Sequence, residues 1–422
     1  MNELSKKQET WKWKKGKVKN AFVRKNKKAN EEDPVVLSLA RSGVKIRDIT
    51  TGEGQLAENY SKYNPVEPGD LLLNPMDLYS GANCSLSNVS GVISPAYINL
   101  RAKKNILPKF YDYYFKVQYW SMAFFANGKG VSFDNRWTLN VETLMNYPIP
   151  LPPFSEQQKI ADFLDEKVKE IDNAIEKTKE TIELYKKYKQ AIITEAVTKG
   201  LDPNVEMKDS GVEWIGKIPV DWQVKRAKNV VTEFAKGAGI TKEDVDINGD
   251  ISCVRYGEIY TKYDIDFVQT FSRTNLSRIN TPKYIEKGDI LFSGTGELVE
   301  EIGKNIVYLG NEPCIAGGDI IIAKHKCNAS FLNYAFKSSY SQMQKSSGKS
   351  KLKVVHISAS DIGNILLAIP PACEQEAIAN YLNQKIDLID FINKSLNELV
   401  PMFENYKKSL IYEYATGKKE VK

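Results

Sequence analysis

The chain has 422 residues, of which 42% are hydrophobic and 10% aromatic, and its formal net charge is +6. That is enough apolar material for roughly two to four cored domains and excludes a disordered protein. Five cysteines without CxxC spacing, two histidines and no apolar run of membrane-spanning length argue against a disulfide framework, a zinc ribbon and a transmembrane helix.

Charge is unevenly placed. Residues 1–29 carry eleven Lys or Arg against two Glu, a basic arm that points to a polyanion. β-like runs follow at 35–40 (VVLSLA), 69–74 (GDLLLN) and 91–100 (GVISPAYINL). A helical stretch at 107–126 and a Gly/Lys-rich loop, NGKGVSFDNRW at 127–137, complete a small α+β domain. Pro152–Pro153 then stops regular structure, and beyond it apolar residues recur at steps of four and three. This stripe runs through Leu164, Val168, Ile171, Ile175, Thr178, Ile182, Tyr185, Lys189, Ile192 and Ala196. A 3.5-residue period predicts a long helix with a coiled-coil seam, and about 44 residues span roughly 65 Å. Ser155 is the expected N-cap, with Glu156 in the first turn.

The second half repeats this plan. ISCVRYGEIY (251–260), GDILFSG (288–294) and GDIIIAK (318–324) read as strands, NASFLNYAFKSSYSQMQ (328–344) as helix, and SSGKSKLKVV (346–355) as a basic loop. From Pro370 the chain matches the segment from Pro152 at a constant offset of 218, with 16 of 47 positions identical and no gap. The pairs include Glu156/Glu374, Gln157/Gln375, Leu164/Leu382, Asp172/Asp390 and Glu195/Glu413. The second stripe holds Leu382, Ile386, Ile389, Asn393, Leu396, Val400, Phe403, Lys407, Leu410 and Tyr414. Upstream, EPGDLLL (67–73) matches EKGDILF (286–292), and FYDYYFK (110–116) matches FLNYAFK (331–337).

The expected fold is therefore α+β. Two similar globular domains are separated by two long helices packed as an antiparallel coiled coil, in a pseudo-two-fold internal repeat. The boundaries read as 1–151 for the first domain with its arm, 152–200 for the first helix, 201–369 for the second domain and 370–422 for the second helix. Leu164, Ile171, Ile175, Ile182, Leu382, Ile389, Leu396 and Phe403 are expected in the seam, where Asn393, Lys189 and Lys407 are polar register positions. Pro401 should kink the second helix.

Enzyme signals are weak. Residues 289–309 outline a strand, a Gly-rich loop, a helix and a strand, as in a nucleotide or S-adenosylmethionine site, but contain no GxGxxG or GxxxxGK[ST]. The first copy has GDLLLNPMDLYSG there, so the glycines are not shared. LPPF at 151–154 lacks the Asp or Asn that would hold a target amine. His325 with Cys327 has nothing nearby to complete a metal site, so no metal and no catalytic residue are expected. Lys129, Asn135, Arg136, Arg255, Lys349, Lys351 and Lys353 are candidates for phosphate or base contacts.

With PLPPFSEQQKIADFLDEKVKEID, ITEAVTKGL and MKDSGVEWIGKIPVDWQVKRAK (207–228) in view, the chain resembles the specificity subunit of type I restriction–modification systems over essentially its whole length. The resemblance implies two target-recognition domains, each reading half of a split site in double-stranded DNA, and helices that set the unread spacer. It also implies two modification subunits docked on the helices and ATP-dependent restriction subunits. S-adenosylmethionine, ATP and Mg²⁺ would be bound by those partners and no cofactor by this chain, in a cytoplasmic complex without a membrane. Two features depart from the pattern. The first half lacks the DSGVEWIGKIPVDW entry and has Trp11 and Trp13 instead, and the lead-in of the second helix reads AIPPACEQ, with Ala372 and Cys373 where the first copy has Phe154 and Ser155. A type IIB-like specificity subunit, a self-sufficient DNA methyltransferase and a coiled-coil scaffold are the competing readings.

Overall fold

A computed structural model describes residues 12–29, 34–50, 57, 59–76, 78–79, 83–130, 137–349 and 354–422. The chain divides into two compact units, Met1–Lys179 with Glu398–Lys422, and Glu180–Asn397. The first long helix is Phe154–Lys199 and the second is Ala372–Ala415, 46 and 44 residues long. Each contributes one part to each unit. No helix among the described residues is long and apolar enough to cross a membrane.

In the first unit, β1 (Lys14–Lys17) pairs antiparallel with residues Pro148–Leu151, just before the prolines. A four-stranded antiparallel sheet follows. Its order is β2 (Phe22–Lys25), Ile98–Ala102, Leu71–Leu73 and Cys84–Leu86. The 13-residue helix Pro108–Trp120 packs on it through an aromatic layer, with Phe22 edge-on to Tyr111 at 5.2 Å. The second unit reproduces the frame. Gln223–Arg226 pairs with Leu366–Ile369, and a five-stranded sheet contains Val231–Lys236, Ile320–His325, Ile290–Ser293 and Asn305–Tyr308 in the same order. Asp266–Phe267 adds a parallel edge strand, and a separate four-stranded sheet is built around Ile251–Val254 and Cys314–Ala316.

The turn before the central strand is the same in both units. Gly69 and Gly288 take φ of +87° and +98°, a conformation that costs glycine little. The Asp70 and Asp289 carboxylates each accept the amide N–H three residues back, at 2.8 Å. Each carboxylate also meets a sheet lysine, Lys25 at 3.0 Å and Lys324 at 3.4 Å.

Two sequence expectations change. The first long helix begins at Phe154, so Ser155 lies inside its first turn and does not cap it. Strand 251–260 stops at Val254, and Tyr256–Thr261 is a short helix. Ile251–Val254 is buried on both faces, a pattern that periodicity cannot separate from helix, so the point where strand gives way to helix is unmarked. The second long helix continues through Pro401, which lies on its exposed side.

Within the first unit the start of the first helix packs antiparallel on the end of the second. Ile160, Leu164, Ile171 and Ile175 share a core with Leu410, Ile411 and Ala415, and the Phe163 and Tyr414 rings lie 4.6 Å apart. Within the second unit the end of the first helix, Ile192, Ile193 and Ala196, packs with Ile378, Leu382, Ile386 and Ile389. Leu164 and Leu382 are both fully buried. Truncating either to alanine should cost about 2–5 kcal/mol, read as a lower urea midpoint for each single variant.

Candidate nucleic-acid interface and its helical support

Each long helix is fastened to its globular domain by a glutamate and a glutamine in its first turn after the proline lead-in. Trp13 Nε1 donates to Glu156 Oε2 at 2.8 Å, and Trp222 Nε1 donates to Glu374 Oε2 at 2.9 Å. Trp13 stands directly before β1 as Trp222 stands before Gln223–Arg226, so the first copy does have an entry equivalent to VDWQ, reduced to its tryptophan. Trp11 lies outside the described residues. Beside each glutamate, a glutamine amide closes a second joint. Gln157 accepts from the Leu107 N–H at 2.8 Å and donates to the Pro152 carbonyl at 2.9 Å. Gln375 accepts from the Asn328 N–H and donates to the Pro370 carbonyl, both at 3.0 Å. About two turns further on, the Tyr113 hydroxyl donates to Asp165 at 2.6 Å and the Tyr334 hydroxyl to Asn383 at 2.8 Å. Burial and the Asp165 carboxylate push the Tyr113 phenol upward, so it stays a donor.

The polar seam positions pair reciprocally. Lys407 meets Asp172 at 2.5 Å in the first unit, and Lys189 meets Asp390 at 2.8 Å in the second. Each pair joins residues that correspond to the other pair at the 218 offset, so a slip of either segment separates charges already half-withdrawn from water. Lys189 also holds Asp264 of the second domain at 2.5 Å. Burial pushes the Asp264 carboxyl up, but Lys189 overcomes this and its pKa lies below the ordinary value. Of the expected seam residues, Leu164, Ile171, Ile175, Ile182, Leu382 and Ile389 are buried, and Leu396 and Phe403 are half-buried. Asn393 Oδ1 is buried without a partner among the described residues.

The candidate DNA contacts fare unevenly. Lys129 is exposed, and its backbone exchanges two 2.9 Å hydrogen bonds with Thr138. Lys349 is held by Asp361 at 3.4 Å. Arg255 is tied up in a buried cluster. Its guanidinium meets Glu258 at 3.0 Å, and that carboxylate also accepts the Ser272 hydroxyl. Asn135, Arg136, Lys351 and Lys353 lie outside the described residues.

The apparent cofactor loop at 289–309 has another geometry. Its strands Ile290–Ser293 and Asn305–Tyr308 are antiparallel neighbours, joined by a bridge at Thr295–Gly296 and a single 3₁₀ turn at Val299–Glu301. A phosphate-cradling loop would lead into an α-helix and return parallel.

The family model described as "Type I restriction modification DNA specificity domain" matches twice, at residues 17–184 and 219–400. Over 374 residues the chain is 26% identical to the type I restriction enzyme MjaVIII specificity subunit of Methanocaldococcus jannaschii, covering 86% of this chain and 83% of that one. It is 24% identical over 420 residues to the type I restriction enzyme EcoBI specificity subunit of Escherichia coli, covering 95% and 83%. Its fold is similar to a chain in a structure of type I R-M complex assembly, with TM-score 0.69, 16% identity and coverage of 96% and 97%. It is also similar to the HsdS subunit from Thermoanaerobacter tengcongensis, with TM-score 0.55, 15% identity and coverage of 99% and 100%.

Two outcomes follow from the joints. Gln157→Leu and Gln375→Leu keep the shape but strand an amide N–H and a proline carbonyl, and each should lower stability by about 2 kcal/mol or more in chemical denaturation. Asp264 has a depressed folded-state pKa, so its contribution is present above the ordinary carboxylate value of 3.8 and is lost as pH falls through the folded value. Lys189→Met should flatten that acid limb in a stability-against-pH series.

Proposed function

The chain belongs to the type I restriction–modification DNA specificity family, and from that membership we propose that it is the sequence-reading subunit of such a complex. Each globular domain reads one half of a bipartite site in double-stranded DNA. The paired helices fix the distance between the halves. The observation that carries this reading is the double match to the specificity domain, in register with a duplicated Trp–Glu and Gln fastening of domain to helix.

The physics supports a split reader. One domain makes few base contacts, and each mismatched pair typically costs about 1–3 kcal/mol. Two linked readers gain affinity through effective concentration only when their separation suits the DNA. The helices also supply matched docking positions. Leu184 and Tyr188 of the first helix correspond at the 218 offset to Met402 and Tyr406 of the second, and all four are exposed. Equivalent apolar pairs suit two copies of one partner, the modification subunit, which would bind S-adenosylmethionine and methylate adenine. Restriction subunits using ATP and Mg²⁺ would complete the assembly. Chemistry then resides in the partners, and this chain contributes none of it.

The deciding experiment is methylation mapping of DNA from cells carrying this chain with its cognate modification subunit, beside cells that lack the chain. A bipartite adenine-methylated motif that disappears with the chain is the expected result. An unchanged map with an active modification subunit removes the specificity role. Deleting one heptad from both long helices, about 10 Å of rise or about three base pairs of DNA, should shift or abolish the recognised spacer and leave both half-site sequences unchanged. A spacer that stays fixed in selection from random DNA defeats the measuring role.

A further inference from the structure

The two copies differ at one internal charge. In the first unit Lys116 Nζ donates to the Asp112 carboxylate one turn earlier, at 2.7 Å. Asp112 outweighs the cost of burial and holds the Lys116 pKa above its ordinary value. FYDYYFK and FLNYAFK place Asn333 where Asp112 stands and Lys337 where Lys116 stands. Asn333 cannot neutralise an amine, and its own groups are spent on Asn305 and the Ile265 carbonyl. Lys337 is left donating to the Asp264 backbone carbonyl at 2.7 Å, and burial pushes it down to about 7.

Lys337 is not alone. Lys304 lies on the same cavity, donating to the Tyr260 carbonyl at 3.3 Å, and burial lowers it as well. Lys345, 2% exposed, donates to Asn305 Oδ1 at 2.9 Å. None of these three ammonium groups has a carboxylate within ion-pairing distance among the described residues. Lys304 and Lys337 line a cavity within the second unit of about 840 Å³, and Lys345 reaches only its Asn305 wall. Its walls are the first long helix at Lys189, the Lys304–Asn305 strand, helix Ser339–Ser346 at Gln342, and the second long helix at Asn393. Its carboxylates offset the lysines only in part, since burial still leaves Lys304 and Lys337 below their ordinary pKa. Asp264 and Asp390 are both taken by Lys189, and Glu300 and Glu301 are exposed on a 3₁₀ turn.

We propose that this cavity binds a nucleoside phosphate. A half-buried amine whose charge burial disfavours is stabilised in its ammonium form when an anion joins it, and lysine then serves phosphate as a compact point charge. The volume lies within the range of small-molecule sites, about 300–1,000 Å³. A bare phosphate would use only the lysines. Asn393 Oδ1, buried and unpartnered, is an acceptor that also calls for a hydroxyl or amino donor on the ligand, which a nucleoside carries. The site is independent of DNA reading, and failure of either proposal leaves the other standing.

The test uses the full chain, with ADP and inorganic pyrophosphate as probes in calorimetry and thermal melting. ADP should bind and raise the melting temperature. Lys337→Met should weaken ADP roughly tenfold or more, with a ligand-free melting temperature equal to or above wild type because a poorly solvated amine is removed. Asn333→Asp restores the carboxylate that the first copy has and should weaken ADP to a similar degree. Asn393→Leu should weaken ADP and spare pyrophosphate, whereas Lys116→Met should leave ADP binding unchanged. The proposal is overturned by absence of ADP binding to wild type, by ADP affinity that neither Lys337→Met nor Asn333→Asp changes, or by displacement of ADP with short duplex DNA, which would assign these lysines to the DNA surface.

Discussion

A helix can set a distance between two readers only if each reader is rigidly fixed to it. Here that fixing falls to a glutamate and a glutamine in the first turn after a proline pair. The glutamate receives an indole N–H from the strand that opens the domain, and the glutamine bridges the loop before the packing helix to the proline carbonyl behind it. These bonds are shielded by a buried tryptophan and by core leucines, where a hydrogen bond gains strength and a missing partner is expensive. The prolines make the arrangement possible, since they prevent the helix from running back into the domain. The fastening lies in the frame, and in the second unit Lys189 adds one further tie from the helix to Asp264 of the domain.

The seam between the helices combines two kinds of information. Leucine and isoleucine supply most of the burial, but an apolar stripe of regular period tolerates sliding by a heptad. The Lys189–Asp390 and Lys407–Asp172 pairs remove that freedom, because a shifted register leaves each charge facing an apolar row. Their net contribution to stability is small after desolvation, and their value lies in discriminating one alignment from its neighbours.

Much of this frame was legible in the residues. The 218 offset and the 3.5-residue stripe set the starts of both long helices within two residues, since length and period reinforce one another over more than ten turns, whereas the second helix ends at Ala415, short of 422. The EPGD and EKGD turns marked the central strands, because only a small set of residues accepts that backbone. The short helix at Tyr256–Thr261 was not legible, as six residues are too few to show a helical period. Nor was the role of Trp13. Its counterpart lies at a different offset, 209, and matches in little besides the tryptophan, so only strand pairing reveals it. The candidate DNA contacts were the least legible part. Charge alone cannot tell a free arginine from one like Arg255, whose partner Glu258 is three residues away but buried beside it. The cavity lysines were hidden for a related reason: FLNYAFK reads as an ordinary helix until Asn333 is compared with Asp112 in three dimensions.

That single exchange of carboxylate for amide has a wider meaning. A duplicated chain holds two versions of every interior contact, and only one need keep the original balance. The first copy has remained self-neutralising at Lys116, and the second has become chemically open at Lys337. Redundancy of this kind lets a protein explore new chemistry in its interior with its outer surface untouched. It also leaves the two halves of an otherwise repetitive molecule chemically unequal in their interiors.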